Sequence, residues 1–253
     1  YQPRFANAGK LNSHNLGNLF FVLISKYAGN FLEAIEALSQ SVESQGKVYP
    51  VTMKSVDLAA ELDNGDIVQT EAFIDEPQYN RGWKIKKVWL EPNCSAYFGA
   101  VSAIIDADCI ILAPGSLYTS LIAALLPRGI KEAIQNNKKA KLIYIAGSAY
   151  RLDGETGPEK ISDVISNLER YLPRKLDLVL YNNHKLNASQ KEFYKEKKWG
   201  VIEIDLKNII SAKIVGGDYE RTSGGLDPVK LAKMFKKYYY EDKKGKNKRG
   251  ARN

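Results

Sequence analysis

An α/β fold with a mostly parallel sheet and an inserted antiparallel hairpin is the architecture this sequence predicts, on three observations. Short, largely apolar runs, Cys109 to Leu112, Lys141 to Ile145 and Leu176 to Tyr181, alternate with segments whose apolar residues recur at helical spacing. Each run stops at small or polar residues: Ala113-Pro114-Gly115-Ser116, Ala146-Gly147-Ser148 and Asn182-Asn183. Between about residues 48 and 90 the apolar period changes to two, around an Asp63-Asn64-Gly65-Asp66 turn that marks a hairpin.

The elements follow in order. A helix carries Leu16, Leu19, Phe20, Leu23 and Ile24 on one face, and a second, from Phe31 to Ser44, carries Leu32, Ile35, Leu38 and Val42. Hairpin strands are expected at Val56 to Leu62 and Ile67 to Phe73, with another strand at Ile85 to Leu90. A helix from Tyr97 to Asp106 leads into Cys109 to Leu112, which is too short for an independent helix and reads as a parallel strand buried on both faces. Leu117, Leu121, Ile122 and Leu125 then predict a helix, with Ser116 as its N-cap. Further helices are expected at Ile130 to Asn136, Ile161 to Tyr171, Glu192 to Lys197 and Val229 to Tyr239, and late strands at Val201 to Ile204 and Ile209 to Val215. Residues 1–240 read as one domain and residues 241–253 as a disordered basic tail.

Three strands ending in polar loops at one sheet edge predict a ligand crevice there. Main-chain amides at the helix start after Pro114 and Gly115 are expected to face an anion, with hydroxyls from Ser116, Tyr118, Thr119 and Ser120 beside them. A second candidate is the first turn of the first helix, where Ser13 and Asn15 are capping types, Gly17 lets a group approach the backbone, and Asn18 offers an amide. A compact strand-to-helix turn and a capped helix with a packing glycine account for the same residues. His14 and His184 are the two histidines, and no G-x-S-x-G, H-E-x-x-H or Cys-His pair occurs, which argues against nucleophilic hydrolysis and a zinc site. General acid–base work would fall to Asp57, Asp66, Asp153 or Glu155, each equally a turn residue.

Of the 253 residues, 44% are hydrophobic, enough for a full core, and no apolar stretch suits a membrane span. The cytoplasm is the expected location. Cys94, in a polar loop, and Cys109, in a buried strand, are expected as free thiols. The net charge of +8 is half due to the tail beyond Tyr240, where six basic residues meet two acidic ones; specific nucleic-acid recognition is not expected without an accompanying motif. The chain begins at Tyr1 with a helical pattern, so residues are expected to be missing upstream.

The segments SHNLGNL (Ser13 to Leu19), ADCIILAPGSLYTSLIAALLPRGIKEAI (Ala107 to Ile134) and DGET (Asp153 to Thr156) resemble the 2-phospho-L-lactate transferase (CofD) family, and within it the YvcK-like gluconeogenesis-factor branch. The resemblance implies a three-layer, Rossmann-like fold with a nucleotide-type ligand at the strand ends. Asn15, Gly17 and Asn18 would contact the nucleotide, Gly115, Ser116, Tyr118 and Thr119 its phosphate or sugar side, and Tyr194 matches a tyrosine that binds UDP-sugars. In the YvcK-like branch the implied role is a UDP-sugar-binding, homodimeric regulator of cell shape and carbon metabolism. In the transferase branch it is transfer of a phospholactyl group to a deazaflavin, with magnesium. A third reading is an interaction protein acting through its basic tail. The family's opening strand, G-G-G-T-G loop and D-D-G-G-S segment are absent from this chain, so a neighbouring strand is expected to have an open edge. An arginine expected before the last helix is replaced by Gly224-Gly225, with Arg221 nearby.

Overall fold

The structure, a computed structural model, describes the backbone of residues 16–250 and the side chains of residues 16–240. The expectations for Ser13, His14 and Asn15 lie outside the described residues. Helices α1 (Leu16–Ala28) and α2 (Phe31–Ser41) form a hairpin. Gly29 makes the bend at φ +67°, and Asn30 caps α2 by accepting from the Leu32 amide at 2.9 Å. Helix α1 packs on α2, with Phe21, outside the expected apolar face, edge to face with Phe31 at 5.0 Å; of that face Leu16 and Leu23 are exposed, and no residue of α1 is fully buried.

The hairpin forms where expected. Strands β1 (Asp57–Leu62), β2 (Ile67–Gln69) and β3 (Ile85–Glu91) make an antiparallel sheet in the order β2-β1-β3, with Ala60 opposite both Val68 and Val88. Gly65, at φ +92°, turns the chain. The second strand, expected to reach Phe73, stops at Gln69. Thr70 adopts φ +72°, which takes the chain out of extended geometry, and the short helix α3 (Glu71–Asp75) follows.

The main sheet is parallel throughout: β4 (Cys109–Leu112), β5 (Lys141–Ile145), β7 (Leu178–Asn182) and β9 (Lys213–Gly217), in the order β4-β5-β7-β9. Period-two alternation divides its side chains between two cores. Leu142, Tyr144 and Val179 join α6 (Ile130–Asn136), α7 (Ile161–Glu169) and the hairpin in the larger one. Ile143, Ile145, Leu178 and Leu180 pack against Tyr219 and against Met234 and Tyr239 of α9 (Pro228–Gly250) in the other. Three layers result, as expected. Burial of β4 on both faces is not found. It is the end strand of the described sheet, and Ile111 is 42% exposed because neither core reaches it.

Other expectations shift. Helix α9 continues to Gly250, through part of the segment read as a disordered tail. The cysteines exchange roles: Cys94 is buried, its loop pinned by the Arg128 amide donating to the Cys94 carbonyl at 3.0 Å, whereas Cys109 on the end strand is partly exposed. Strand β8 (Trp199–Val201) pairs antiparallel with β6 (Ala149–Arg151), a strand the sequence did not announce, and α8 (Ala188–Glu196) starts four residues earlier than read. No described helix is long and apolar enough to cross a membrane.

Candidate functional site

The chain leaves β4 through Pro114-Gly115-Ser116 and enters a π-helical segment, Leu117–Ile122, in which the Leu121 amide reaches back five residues to the Ser116 carbonyl at 3.0 Å. Helix α5 (Ala123–Leu125) extends it. Gly115 suits the entry because a Cβ there would stand 3.3 Å from Cβ of Ser120. Ser116 occupies the cap position, yet its side chain makes no capping bond.

Glu155 does the capping instead. Its carboxylate accepts from the amides of Tyr118 (3.1 Å) and Thr119 (3.1 Å) and from the Thr119 hydroxyl (3.3 Å). The amides expected to meet a ligand's anion therefore already meet one from the chain itself. Burial pushes the Glu155 carboxyl above its ordinary range, against the amides of Thr119, Tyr118 and Leu117, which favour the charged form. The hydroxyl of Tyr118 points away from the site: the ring is buried, and its Oη donates to the Ile85 carbonyl at 3.0 Å.

Pro114, Gly115 and Ser116, with Gly147 and Ser148 at the end of β5, line a cavity of about 380 Å³. Glu155, Arg151 and Asp75 lie on the same wall, and Tyr144, Tyr150, Tyr194 and Trp199 supply aromatic surface. Such a volume falls in the range of small-molecule sites. Arg151, on β6, spends its guanidinium on carboxylates: Nη1 to Asp75 Oδ2 at 2.8 Å, Nε to Asp153 Oδ1 at 3.2 Å, and Nη2 to Glu76 Oε1 at 3.9 Å. Lys198, then Arg151, hold the Asp153 carboxyl below its ordinary range.

A smaller cavity of about 210 Å³ adjoins, sharing Gly147, Ser148, Tyr194 and Ile202 and adding His184 and Lys185. Tyr194 thus stands in the partition between the two. Its Oη donates to Glu220 Oε1 at 2.9 Å, and Glu220, fully buried, also accepts from Asn182 Nδ2 at 2.7 Å and from the Gly225 amide. Burial, then this bond, pushes the Tyr194 hydroxyl pKa up.

The structure thus brings Pro114, Gly115, Ser116 and Tyr194 to the cavities, while Tyr118 and Thr119 are held behind the wall by Glu155. Gly17 and Asn18 sit in the first turn of α1 and line neither cavity. Arg221 is exposed, in a turn closed by its amide to the Gly225 carbonyl. Asp75, Tyr150, Arg151 and Trp199 escaped the sequence reading of the site; Tyr150 and Arg151 carried a signal, lying just beyond the Ala146-Gly147-Ser148 loop. Among the described residues, no three His, Cys, Asp or Glu side chains are grouped to hold a metal ion. Among the described residues near the cavity, the carboxylates of Asp75 and Asp153 are engaged with Arg151 rather than gathered as a ligand set for magnesium.

Comparison with known proteins agrees with this fold. Two crystal structures of protein BH3568 from Bacillus halodurans, a member of the UPF0052 family, match with TM-scores of 0.81 and 0.79 at 28% and 29% identity, over 92% and 91% of this chain and 75% of theirs. Proteins named "Putative gluconeogenesis factor" from Thermotoga maritima and Clostridium acetobutylicum are 37% and 34% identical, over 79% and 96% of this chain. The chain spans 62% and 56% of their lengths. The "Gluconeogenesis factor" of Bacillus subtilis is 31% identical over 83% of this chain and 65% of its own. The family model described as 2-phospho-L-lactate transferase CofD matches residues 1–216, and the chain belongs to the CofD family.

Proposed function

We propose that this chain is the ligand-binding part of a cytoplasmic, homodimeric regulator of the gluconeogenesis-factor kind, and that it binds a nucleotide sugar of the UDP-sugar class at the carboxyl ends of β4 and β5. What supports the reading is the meeting of two small-residue loops, Pro114-Gly115-Ser116 and Ala146-Gly147-Ser148, in one cavity with an aromatic wall. Relatives of the same family carry the gluconeogenesis-factor name, and regulation of carbon metabolism and cell shape is the role proposed with it. Thermal shift tests the binding. UDP-N-acetylglucosamine at 100 times its Kd is expected to add about 2.7 kcal/mol to stability. Indifference to UDP-sugars refutes the reading.

The description of the matching family model favours a second reading, a phospholactyl transferase. A shift with GTP and magnesium in place of UDP-sugars would select it. Indifference to every nucleotide, together with RNA binding that collapses in salt, would leave the basic tail as the acting part.

A further inference from the structure

Beside the hydroxyls of Ser116 and Ser148, the larger polar side chains around the larger cavity offer acceptors. Glu155 Oε2 takes the Thr119 amide and hydroxyl together with the Tyr118 amide, whereas Oε1 takes a share of the Tyr118 amide at 3.2 Å, with the Leu117 amide also facing the carboxylate. A carboxylate oxygen has two lone pairs, so Oε1 retains capacity for a further donor. Tyr194 gives its proton to Glu220, and its oxygen, with two lone pairs, faces Ser148 and keeps room for one more donor. Tyr150 bonds Glu159 in the same sense. Arg151, the cation on this wall among the described residues, faces Asp75, Asp153 and Glu76. Asp75, Asp153 and Glu76 thus occupy its guanidinium, which leaves this wall without a free cation for a diphosphate among the described residues.

The apolar part of the wall has matching chemistry. Trp199 stands edge-on between Phe193 at 5.7 Å and Tyr194 at 5.4 Å. Tyr150 lies over Gly200, where an added Cβ would come within 2.4 Å of its ring. Both rings are therefore fixed on the β6–β8 ribbon. Carboxylate and phenolic acceptors beside fixed aromatic rings suit a neutral ring that carries hydroxyl donors on its edge and C–H groups on its face.

We infer that the larger cavity holds the uncharged, hydroxyl-rich glycosyl part of the ligand, with Glu155 Oε1 accepting from a sugar hydroxyl. The charged part is left to the adjoining smaller cavity, where Lys185 lies, with His184 beside Asp218 at 3.4 Å and the Glu220 carboxylate already taken by Tyr194, Asn182 and the Gly225 amide. This inference rests on the nucleotide-sugar reading and assigns an orientation within it.

Calorimetric titration of the full chain with UDP-N-acetylglucosamine and with UDP tests it. The wild type is expected to bind the sugar nucleotide at least about tenfold more tightly than UDP, the order of one charge-assisted hydrogen bond with its contacts. Glu155→Gln keeps an oxygen for the Tyr118 and Thr119 amides and turns an NH2 toward the cavity. It is expected to abolish the preference while UDP affinity and the melting temperature without ligand stay near wild type. Lys185→Ala should weaken UDP and the sugar nucleotide alike. If the wild type binds UDP but gains nothing from the sugar, the orientation is wrong while nucleotide binding stands. A preference that survives Glu155→Gln overturns the role of Glu155. Failure to bind either compound removes both the inference and the reading beneath it.

Discussion

Replacing Tyr118 by Phe separates holding the fold from holding a ligand. The ring of Tyr118 is 2% exposed, and its hydroxyl donates to the Ile85 carbonyl at 3.0 Å, with Asn167 Oδ1 at 3.3 Å. Ile85 is itself 4% exposed, so removing the hydroxyl strands a buried acceptor without opening much space. An unsatisfied buried acceptor costs about 1–3 kcal/mol, so about 2 kcal/mol is expected. For a chain of this size that lowers the melting temperature by about 4–8 °C. Urea unfolding followed by circular dichroism measures the loss, and thermal shift with the sugar nucleotide measures binding. Stability should fall while affinity stays unchanged, because the hydroxyl faces Ile85 rather than the cavity. A loss below about 0.5 kcal/mol would show that water or Asn167 replaces the bond, and lost affinity at full stability would mean that the hydroxyl reaches the ligand.

Leu168→Ala removes a side chain with 0% exposure on the inner face of α7 and should cost about 2–5 kcal/mol by chemical denaturation. Gly224→Ala introduces a Cβ at φ +99° and within 2.5 Å of the Phe193 ring, and should cost about 1–3 kcal/mol, readable as a lower urea midpoint. Hydrogen bonds from Lys86 and then Lys87, each at 2.7 Å, hold the Glu61 carboxyl down at about 2. A depressed carboxyl stabilises the fold above its unfolded value of 4.5 and loses that contribution as pH falls toward about 2. The stability gap between wild type and Glu61→Gln should therefore be present at neutral pH and close across that window; a gap independent of pH would show that the lysines do not act on Glu61.

Strands β4, β5 and β7 were legible because each is a short apolar run closed by small or polar residues, a pattern that depends on neighbours in sequence alone, whereas β9, expected from Ile209 to Val215, begins four residues later, at Lys213. The burial of β4 was not legible, since the composition of Cys109 to Leu112 is that of a central strand and only the strand order makes it an end one. The end of β2 was equally hidden. Val68, Thr70 and Ala72 continue the alternation, and the positive φ of Thr70 leaves no trace in composition. At the site, the Pro114-Gly115-Ser116 bend could be read from its residue types. The partner of the following helix start could not, because Glu155 sits 36 residues beyond Thr119 in what looks like a solvated turn. Arg151 and Asp75, 76 residues apart, meet only through the packing of the hairpin against the main sheet.

The hairpin is fastened to the segment that carries Glu155. The Ile85 amide donates to the Thr156 carbonyl at 3.1 Å, Tyr79 Oη lies 2.9 Å from Thr156 Oγ1, and Arg81 Nη1 donates to the Gly154 carbonyl at 2.8 Å. The acceptor at the back of the cavity is thus aimed by a buttress some seventy residues upstream. Substitutions in the hairpin that leave every wall residue intact will still retune what the cavity accepts, so specificity in this chain can drift without any change at the site itself.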